Sequence, residues 1–505
     1  MRMSKKYLFH NKPFKNIMMK YLYQVFCIMA LTIILQACKK EDKNFTYQKV
    51  NQILVKTSDS VFTIKQLDKL KITPQLEESV PGSGPYTYEW SVYSTKNYQV
   101  NNLPSKSITL SKEKNLDKII DLSPDSYYLQ YTITDTRTGI KTFKRFSLTV
   151  NGTFYEGWFV MSNKAGKAMV SFIRKDDEVF VDPIRELNGA VLQGKGLSVY
   201  SAVISKMTQI NVFTDQGVYR FNADDLKLNG NTGDLFLANH VWREPYYTLN
   251  SINTDQFIVN DGEVYATLTP NFGDVGKYSE KFSGPSNGYN AFPYLISGSK
   301  FYTVFYDNLN KRFLQTSYND RTLNTFGTTV GAAYDLNNVG KTMIAGDKGA
   351  GSEYYAIMKD NNGYYFYSIM PAKASPAESM QPIKNSPDIE LATSFSSSSV
   401  VKQIYYGAAN KVYVYDILAN ASRLVYQFPE NTKIKDLEML KNKAWSKVVD
   451  ASFDKRLVVA TYNGVEGEVY YLDLSPTGDV TNNTYSKKIG GFGDIVQINY
   501  RNPNI

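Results

Sequence analysis

The strongest constraint on the fold is a repeat of hairpin-like units that begins near residue 158. Each unit spans roughly 35 to 45 residues and joins at least two apolar runs through a turn such as Asp215-Gln216-Gly217 or Asn361-Asn362-Gly363. Seven such units can be counted, marked by apolar runs and turns at Trp158–Val181, Val199–Phe221, Gln256–Leu268, Tyr294–Leu314, Tyr354–Ile369, Ile404–Phe428 and Leu457–Leu474. A unit this small cannot bury its apolar face alone, so the repeat predicts sheets packed around an axis in a seven-bladed β-propeller.

Two features of this prediction stay open. Six or eight blades would fit the same pattern, and a second, flat sandwich is the structural alternative. In a closed propeller the two chain ends usually share one blade. The last apolar run, Ile495 to Tyr500, is therefore predicted to pair beside the strand at Trp158 to Met161.

The preceding hundred residues show a different pattern, with short strands separated by turn-forming clusters. In the run from Tyr127 to Thr134, alternate residues place Tyr127, Leu129, Tyr131 and Ile133 on one face. Seven or so such strands predict an immunoglobulin-like sandwich with Trp90 as its core aromatic residue. The chain is also rich in aromatic residues, with 39 Tyr and 27 Phe, which favours strands over helices. The expected fold class is therefore all-β.

The N-terminus has the order of a secretory signal: basic residues, an apolar run from Val25 to Leu35, and then Leu35-Gln36-Ala37-Cys38. The apolar run is too short to cross a bilayer as a helix. This segment resembles the lipobox of bacterial lipoproteins, and the resemblance implies that Cys38 is acylated and becomes the first residue of the mature chain. Translation could start at Met1 or at the Met18-Met19 pair.

These patterns predict four parts: a lipoprotein signal peptide (1–37), a lipidated tether (38–47), a sandwich (48–151) and a propeller-like domain (152–505). The segment Leu122-Ser123-Pro124-Asp125-Ser126-Tyr127-Tyr128-Leu129-Gln130-Tyr131-Thr132-Ile133-Thr134-Asp135 resembles the end of PKD domains. With its lipobox, the whole chain resembles a PKD-like family lipoprotein of Bacteroidetes. Asp125-Ser126 replaces the usual Gly-Thr, and the Trp-Asp-Phe-Gly-Asp-Gly signature is missing.

Charge and composition exclude several functions. The signal carries six of the 57 Lys and Arg residues and none of the 48 Asp and Glu residues, so the mature chain has 57 − 6 = 51 basic and 48 acidic residues. A charge near +3 gives no reason to expect nucleic acid as a partner. The mature chain keeps one histidine, His240, and no thiol beyond Cys38. We therefore predict no catalytic residues, no metal site and no cofactor.

Several suggestive motifs are interpreted as structural. Val339-Gly340-Lys341-Thr342 lacks the earlier glycine of a phosphate-binding loop, and the segment from Gly346 to Ser352 is interpreted as a flexible loop. The serine run Ser396–Ser399 is interpreted as a surface connection. The pairs Asp176-Asp177 and Asp224-Asp225 are predicted to be solvated turns rather than a hydrolytic pair.

Long loops rich in aromatic residues are the best candidates for ligand binding. They lie at 242–247 and 271–294 and contribute the candidate residues Trp242, Tyr246, Tyr247, Tyr278 and Tyr289. Exposed rings of this kind can stack on sugars or hold peptide side chains. The alternative is that these rings pack between neighbouring blades.

Resemblance to the PKD-like lipoproteins implies a location and a role. It places the protein in the outer membrane, anchored through Cys38 and facing the cell exterior. It also implies a non-catalytic accessory of a SusC/SusD-type uptake system, with a peptide or an oligosaccharide as ligand. A structural envelope lipoprotein and a propeller glycosidase or lyase are the two alternatives.

Overall fold

The computed structural model describes residues 50–95, 107–204, 207–236, 245–247, 256–267, 277–297, 302–317, 320–327, 330–441 and 450–501, and six positions between 19 and 26. Over these residues the fold is all-β, with a sandwich followed by a propeller, as predicted. The predicted lipidation site, Cys38, lies outside the described residues. Within the described part of the chain, no helix is both long enough and apolar enough to span a membrane.

The sandwich is built from nine strands. They are β1 Ile53–Lys56, β2 Val61–Lys65, β3 Lys69–Ile72, β4 Gln75–Glu78, β5 Tyr86–Ser94, β6 Ile108–Ser111, β7 Leu116–Ile119, β8 Asp125–Asp135 and β9 Lys141–Asn151. Strands β2-β9-β8-β5-β6 form one five-stranded sheet, and β1-β4 and β3-β7 form two smaller sheets.

The sandwich core forms around Trp90, as the sequence predicts. Its indole ring is fully buried and stacks on Tyr131 of β8, with ring centroids 4.2 Å apart. The alternating residues Leu129 and Ile133 of β8 are also fully buried, so period-2 patterning correctly identified the inner face.

The rest of the described chain forms 26 strands, β10 to β35, and two short α-helices. The first part contains β10 Gly157–Lys164, β11 Lys167–Arg174, β12 Val179–Phe180, α1 Pro183–Asn188, β13 Gly196–Ile204, β14 Met207–Thr214, β15 Gly217–Asn222, β16 Leu228–Asn231, α2 Thr232–Leu235, β17 Pro245–Tyr247, β18 Phe257–Asn260 and β19 Glu263–Ala266. The middle part contains β20 Ala291–Ser297, β21 Tyr302–Asp307, β22 Arg312–Ser317, β23 Thr342–Lys348, β24 Tyr354–Asp360, β25 Gly363–Ile369 and β26 Ala377–Pro382. The last part contains β27 Ala392–Ser397, β28 Gln403–Ala408, β29 Lys411–Asp416, β30 Ala421–Gln427, β31 Lys433–Met439, β32 Arg456–Tyr462, β33 Gly467–Asp473, β34 Lys487–Phe492 and β35 Asp494–Arg501, with 3-10 turns at Ile389–Leu391 and Thr481–Asn483.

These strands form seven antiparallel sheets among the described residues. One edge strand of each sheet lies at the centre, where β35 contacts β13, β13 contacts β17, β17 contacts β20, β20 contacts β23, β23 contacts β27, β27 contacts β31, and β31 contacts β35. The inner strands therefore follow one another in a closed circle, which is the arrangement of a propeller. The number of blades, predicted as seven, stays a prediction.

Hairpin turns explain how the repeat folds locally. Ala165-Gly166 joins β10 to β11, and Asp261-Gly262 joins β18 to β19. Both residues of each turn have positive φ, near 51° and then 74°. Two consecutive left-handed residues make a type I′ turn, whose twist matches that of paired strands. Glycine at the second position makes this conformation accessible at little cost.

The circle is closed by pairing between its two chain ends. In the sheet β12-β11-β10-β35, Trp158 lies opposite Tyr500 and Met161 lies opposite Gln497. The predicted pairing of the last apolar run with the first propeller strand is thus confirmed. Ile495 of β35 is fully buried in the core that the first and last sheets share.

The sandwich is joined to the propeller by a buried turn between β2 and β3. Leu67 of this turn packs in one hydrophobic cluster with propeller residues such as Phe172. The side-chain amide of Gln66 donates to the Asp225 carbonyl at 3.3 Å, and the Ser123 hydroxyl donates to the Asp225 carboxylate at 2.5 Å. Asp225 is therefore buried at this junction, and its prediction as a solvated turn residue is wrong.

Charged residues near this turn form ion pairs across the junction between the sandwich and the propeller. Asp176 accepts from the Arg174 guanidinium at 2.7 Å and from Lys65 at 3.3 Å, and these contacts, chiefly that with Arg174, lower the pKa of its carboxyl group to about 2. Strand β9 ends at Asn151, where the sequence places the domain boundary. The division into domains at that residue stays a prediction, because hydrogen bonds and apolar contacts continue across it.

Replacement of Ile495 by alanine tests whether packing of β35 closes the circle of sheets. We expect Ile495→Ala to lower the free energy of unfolding of the propeller by about 2–5 kcal/mol, because it leaves a cavity at the shared core. Urea unfolding followed by circular dichroism measures the change. Ile119→Ala is the matched control, since that isoleucine is 49% exposed on the sandwich. Equal effects of the two substitutions would contradict a closing role for β35.

Candidate functional site

A cavity of about 370 Å³ lies at the centre of the circle of inner strands. Six inner strands (β13, β20, β23, β27, β31 and β35) contribute to its wall. Its lining includes Tyr200, Phe292, Tyr294, Asp347, Phe395, Ser396, Asp436, Glu438, Lys441, Gln497 and Asn499. Residues distant in sequence therefore converge on one cavity, which is the usual setting of a ligand site.

A buried ion pair fixes one side of the cavity. The Lys441 ammonium, whose side chain is only 2% exposed, lies 2.6 Å from the Asp347 carboxylate. It also donates to the carbonyls of Lys348 and Ser397, at 3.0 and 2.9 Å. A buried ammonium is tolerated only when its donors are satisfied, as they are here. The pair ties β23 and β27 to the segment that follows β31.

The Asp347 carboxylate also organises β27. One of its oxygens accepts hydrogen bonds from the Ser396 hydroxyl at 3.0 Å and from the Ser397 backbone amide at 2.7 Å. Ser396, Ser397 and Ser398 are all buried. The interpretation of this serine run as a surface connection is therefore wrong for these three residues. The segment from Gly346 to Lys348, interpreted as a flexible loop, is the end of strand β23.

Asp436, on β31, also lines the cavity. Its carboxylate accepts from the Ser394 hydroxyl at 2.7 Å and from the amides of Leu437 and Ile498, both at 2.9 Å. Burial raises the pKa of Asp436 to about 7, and the like charge of Glu438 acts in the same direction. The three hydrogen-bond donors oppose this shift, because they stabilise the ionised form.

Aromatic side chains complete the wall. The ring of Tyr294 packs so closely over Gly346 that a Cβ at that glycine would come within 2.3 Å of it. The hydroxyl of Tyr294 is buried and has no hydrogen-bond partner among the described residues. Burial raises the pKa of Tyr294 well above its ordinary value, and the charge of Asp347 adds to the effect. This hydroxyl is therefore neutral and able to donate to a ligand.

The aromatic residues predicted from the sequence do not form this site. Tyr278 is fully buried between Phe236, at a ring-centroid distance of 5.1 Å, and the Arg220 guanidinium. Its prediction as an exposed ligand-binding residue is wrong, because it belongs to the packing between sheets. Tyr289 is half-buried, and its hydroxyl donates to the Phe282 carbonyl at 2.8 Å. Its role in binding stays a prediction.

The remaining candidates can be placed only in part. Trp242 lies outside the described residues, as does His240. Tyr246 and Tyr247 belong to β17, but their side chains are outside the described part of the structure. Among the described residues, no group of three or more His, Cys, Asp and Glu side chains is arranged to hold a metal ion.

Sequence reasoning missed the residues that line the cavity. One available signal was the alternation of Asp436 and Glu438 in a strand that is otherwise apolar at Ile434, Leu437 and Met439. Two acidic residues at positions i and i+2 share one face of a strand. In a propeller this face of an inner strand is directed towards the axis, where polar side chains can remain hydrated.

The comparison with protein families concerns the N-terminal part of the chain. Residues 38–196 match the PKD-like family. The PKD-like match includes the sandwich and continues through the first propeller strands to the first residue of β13. The resemblance inferred from the sequence is thus confirmed over this stretch. No curated protein matches the chain.

Solved structures with a related shape include several Bacteroides proteins. A quinonprotein alcohol dehydrogenase-like protein from Bacteroides thetaiotaomicron has 14% identity and a TM-score of 0.48, over 88% of this chain and 97% of that chain. The extracellular domain of a one-component system from the same organism has 9% identity and a TM-score of 0.38. That match covers 86% of this chain and 62% of the other chain. A DUF4784 family protein from Bacteroides caccae has 9% identity and a TM-score of 0.30. That match covers 73% of this chain and 95% of the other chain. Such distant likenesses carry no argument about activity.

The buried ion pair leads to a stability prediction. Lys441→Met keeps most of the side-chain volume but leaves the Asp347 carboxylate without this cation, so we expect a loss of about 3–5 kcal/mol in unfolding free energy. Lys435→Met is the matched control, because Lys435 pairs with Asp494 through side chains that are 31% and 43% exposed. That exposed pair should contribute only about 0–1 kcal/mol. Urea unfolding of both variants measures the loss of unfolding free energy for the buried pair and for the exposed pair.

The raised pKa of Asp436 predicts a pH dependence of stability. The native state keeps this proton at pH values where the unfolded chain has lost it. The stabilisation is therefore fully present below about pH 4 and is lost as the pH rises to about 7. We expect wild type to lose stability relative to Asp436→Asn over this range, measured by urea unfolding at pH 4.5, 6 and 8. A difference that does not vary with pH would contradict the prediction.

Proposed function

We propose that this protein is a surface-exposed outer-membrane lipoprotein that binds a peptide or a glycan for a SusC/SusD-type uptake system, without catalysing a reaction. The observation that carries the binding role is the central cavity, where aromatic rings, carboxylates and amides from six strands converge. This combination suits a ligand that carries both polar and apolar groups. The lipobox that ends at Cys38 supports the anchor, and the PKD-like match supports the family resemblance from which the accessory role is inferred.

The sandwich would hold the propeller at a fixed orientation away from the membrane. Support for this role comes from the junction, where the turn at Leu67 is packed into the propeller and Asp225 is bonded to both Gln66 and Ser123. A junction with buried apolar contacts and hydrogen bonds restricts relative motion more than a flexible linker does. The cavity would then face a constant direction relative to the lipid anchor.

Cross-linking on intact cells tests the accessory role. We expect affinity purification through the C-terminus to recover an outer-membrane importer and its companion lipoprotein from cells that carry the native protein. Cys38→Ala should abolish this recovery, because the predicted lipid acceptor is lost. Cys27→Ala is the matched control, since Cys27 lies within the predicted signal. Mass spectrometry identifies the recovered proteins.

Two results would contradict the proposal. If Cys38→Ala recovers the same importer as native protein, the anchor has no part in the association. If native protein recovers no importer and resists protease added outside the cell, a structural envelope role inside the periplasm would replace the proposed one.

A further inference from the structure

Asp436 is one of three residues that bring a carboxylate to the wall of the central cavity. Its hydrogen-bond donors are one hydroxyl and two backbone amides, from Ser394, Leu437 and Ile498. Among the described residues, no lysine or arginine forms an ion pair with it. A carboxylate enclosed in a protein is normally paired with a cation or holds a proton. Asp436 therefore sits where a cation would be stabilised.

The other charged groups around the cavity do not supply that cation. Glu438, on the same strand, is a like charge, and its influence disfavours ionisation of Asp436. Lys441 is already held by Asp347 and by two carbonyls. Lys435 of β31 pairs with Asp494. The cavity-lining residues of β27 and β35 are uncharged.

The aromatic wall is the second observation that points to a cation. Four rings line the cavity, from Tyr200, Phe292, Tyr294 and Phe395. The faces of aromatic rings attract ammonium and guanidinium groups. The buried Tyr294 hydroxyl, which has no partner among the described residues, has lone pairs that can accept an N–H from such a group. The volume of about 370 Å³ accommodates a single side chain rather than a folded partner.

We propose that the central cavity binds an organic cation, the protonated amine or guanidinium group of a peptide, with Asp436 as its counter-ion. This inference rests on the proposed binding function and names the class of group that the site takes. Glu438 adds to the negative potential, and the rings of Tyr294 and Phe395 enclose the cation. A neutral glycan would leave Asp436 without a counter-ion, so a basic peptide fits the cavity better.

Calorimetric titration of the full-length protein in detergent tests the proposal. The probe is Nα-acetyl-lysine amide, and Nα-acetyl-norleucine amide is its uncharged analogue. We expect only the lysine compound to bind at pH 8.5. Its affinity should fall by about 30-fold at pH 5.5, because Asp436 with a pKa of about 7 is then almost fully protonated. The lysine ammonium stays charged at both pH values.

Three variants test whether the lysine compound binds in the central cavity. Asp436→Asn should abolish binding of the lysine compound, and Tyr294→Phe, which keeps the ring, should weaken it about fivefold. Glu186→Gln removes a negative charge from an exposed position of α1 and should leave affinity unchanged. The pH dependence of wild type keeps the test valid if Asp436→Asn folds poorly.

Other outcomes would overturn the inference. These are equal binding of the two compounds, no binding of the lysine compound at pH 8.5, or an affinity that is independent of pH. Failure here is separable from failure of the proposed function. Recovery of an importer on cells, without binding of the lysine compound, would reject the cation and leave the accessory role intact. Binding of the lysine compound without recovery of an importer on cells would support the cation site and reject the accessory role.

Discussion

The structure depends on the pairing of β10 with β35. A propeller is a set of sheets that each need a neighbour on both sides, and a gap at any point would expose apolar faces to water. Here the gap is closed by backbone hydrogen bonds between segments at opposite ends of the propeller, around Trp158 and Tyr500. The central cavity exists only because this pairing brings β31, β35 and β13 together.

The same strand also holds the propeller segments that lie next to the sandwich. Arg501, at the end of β35, is buried, and its guanidinium donates to the carbonyls of Phe154 and Ala223. Burial lowers the pKa of Arg501 to about 10. Its charge is nevertheless offset by the Asp224 carboxylate, 3.7 Å away. The end of β35 is thus tied to Phe154, three residues after the last strand of the sandwich.

Much of the fold could be predicted because it is encoded locally. Alternation in β8 identified a buried face, and Asn361-Asn362-Gly363 marked a hairpin, since both signals depend only on residues close in sequence. The pairing of β35 with β10 is not local, but it follows from the geometry of any closed ring.

The site could not be predicted in the same way. Asp347, Asp436 and Tyr294 belong to three separate strands, and only the circular arrangement brings them together. Composition was also misleading: the run that starts at Ser396 suggested a surface, although the Ser396 hydroxyl and the Ser397 amide donate to the half-buried Asp347. Tyr278 suggested an exposed ring because aromatic loops often bind ligands, whereas burial of its large apolar surface in the core is the stronger driving force.

The position of β35 in the chain has a consequence for how the protein is made. Strand β10 ends at residue 164 and its partner begins at residue 494, so 494 − 164 = 330 residues separate them. At ribosomal speeds of about 5–20 residues per second, β10 waits roughly 15 to 65 seconds for its partner. During that interval the edge of β10 and the apolar wall of the first sheet are open to other chains. A chain that lacks its last strand therefore keeps an unpaired edge at β10, which is a template for pairing with another chain.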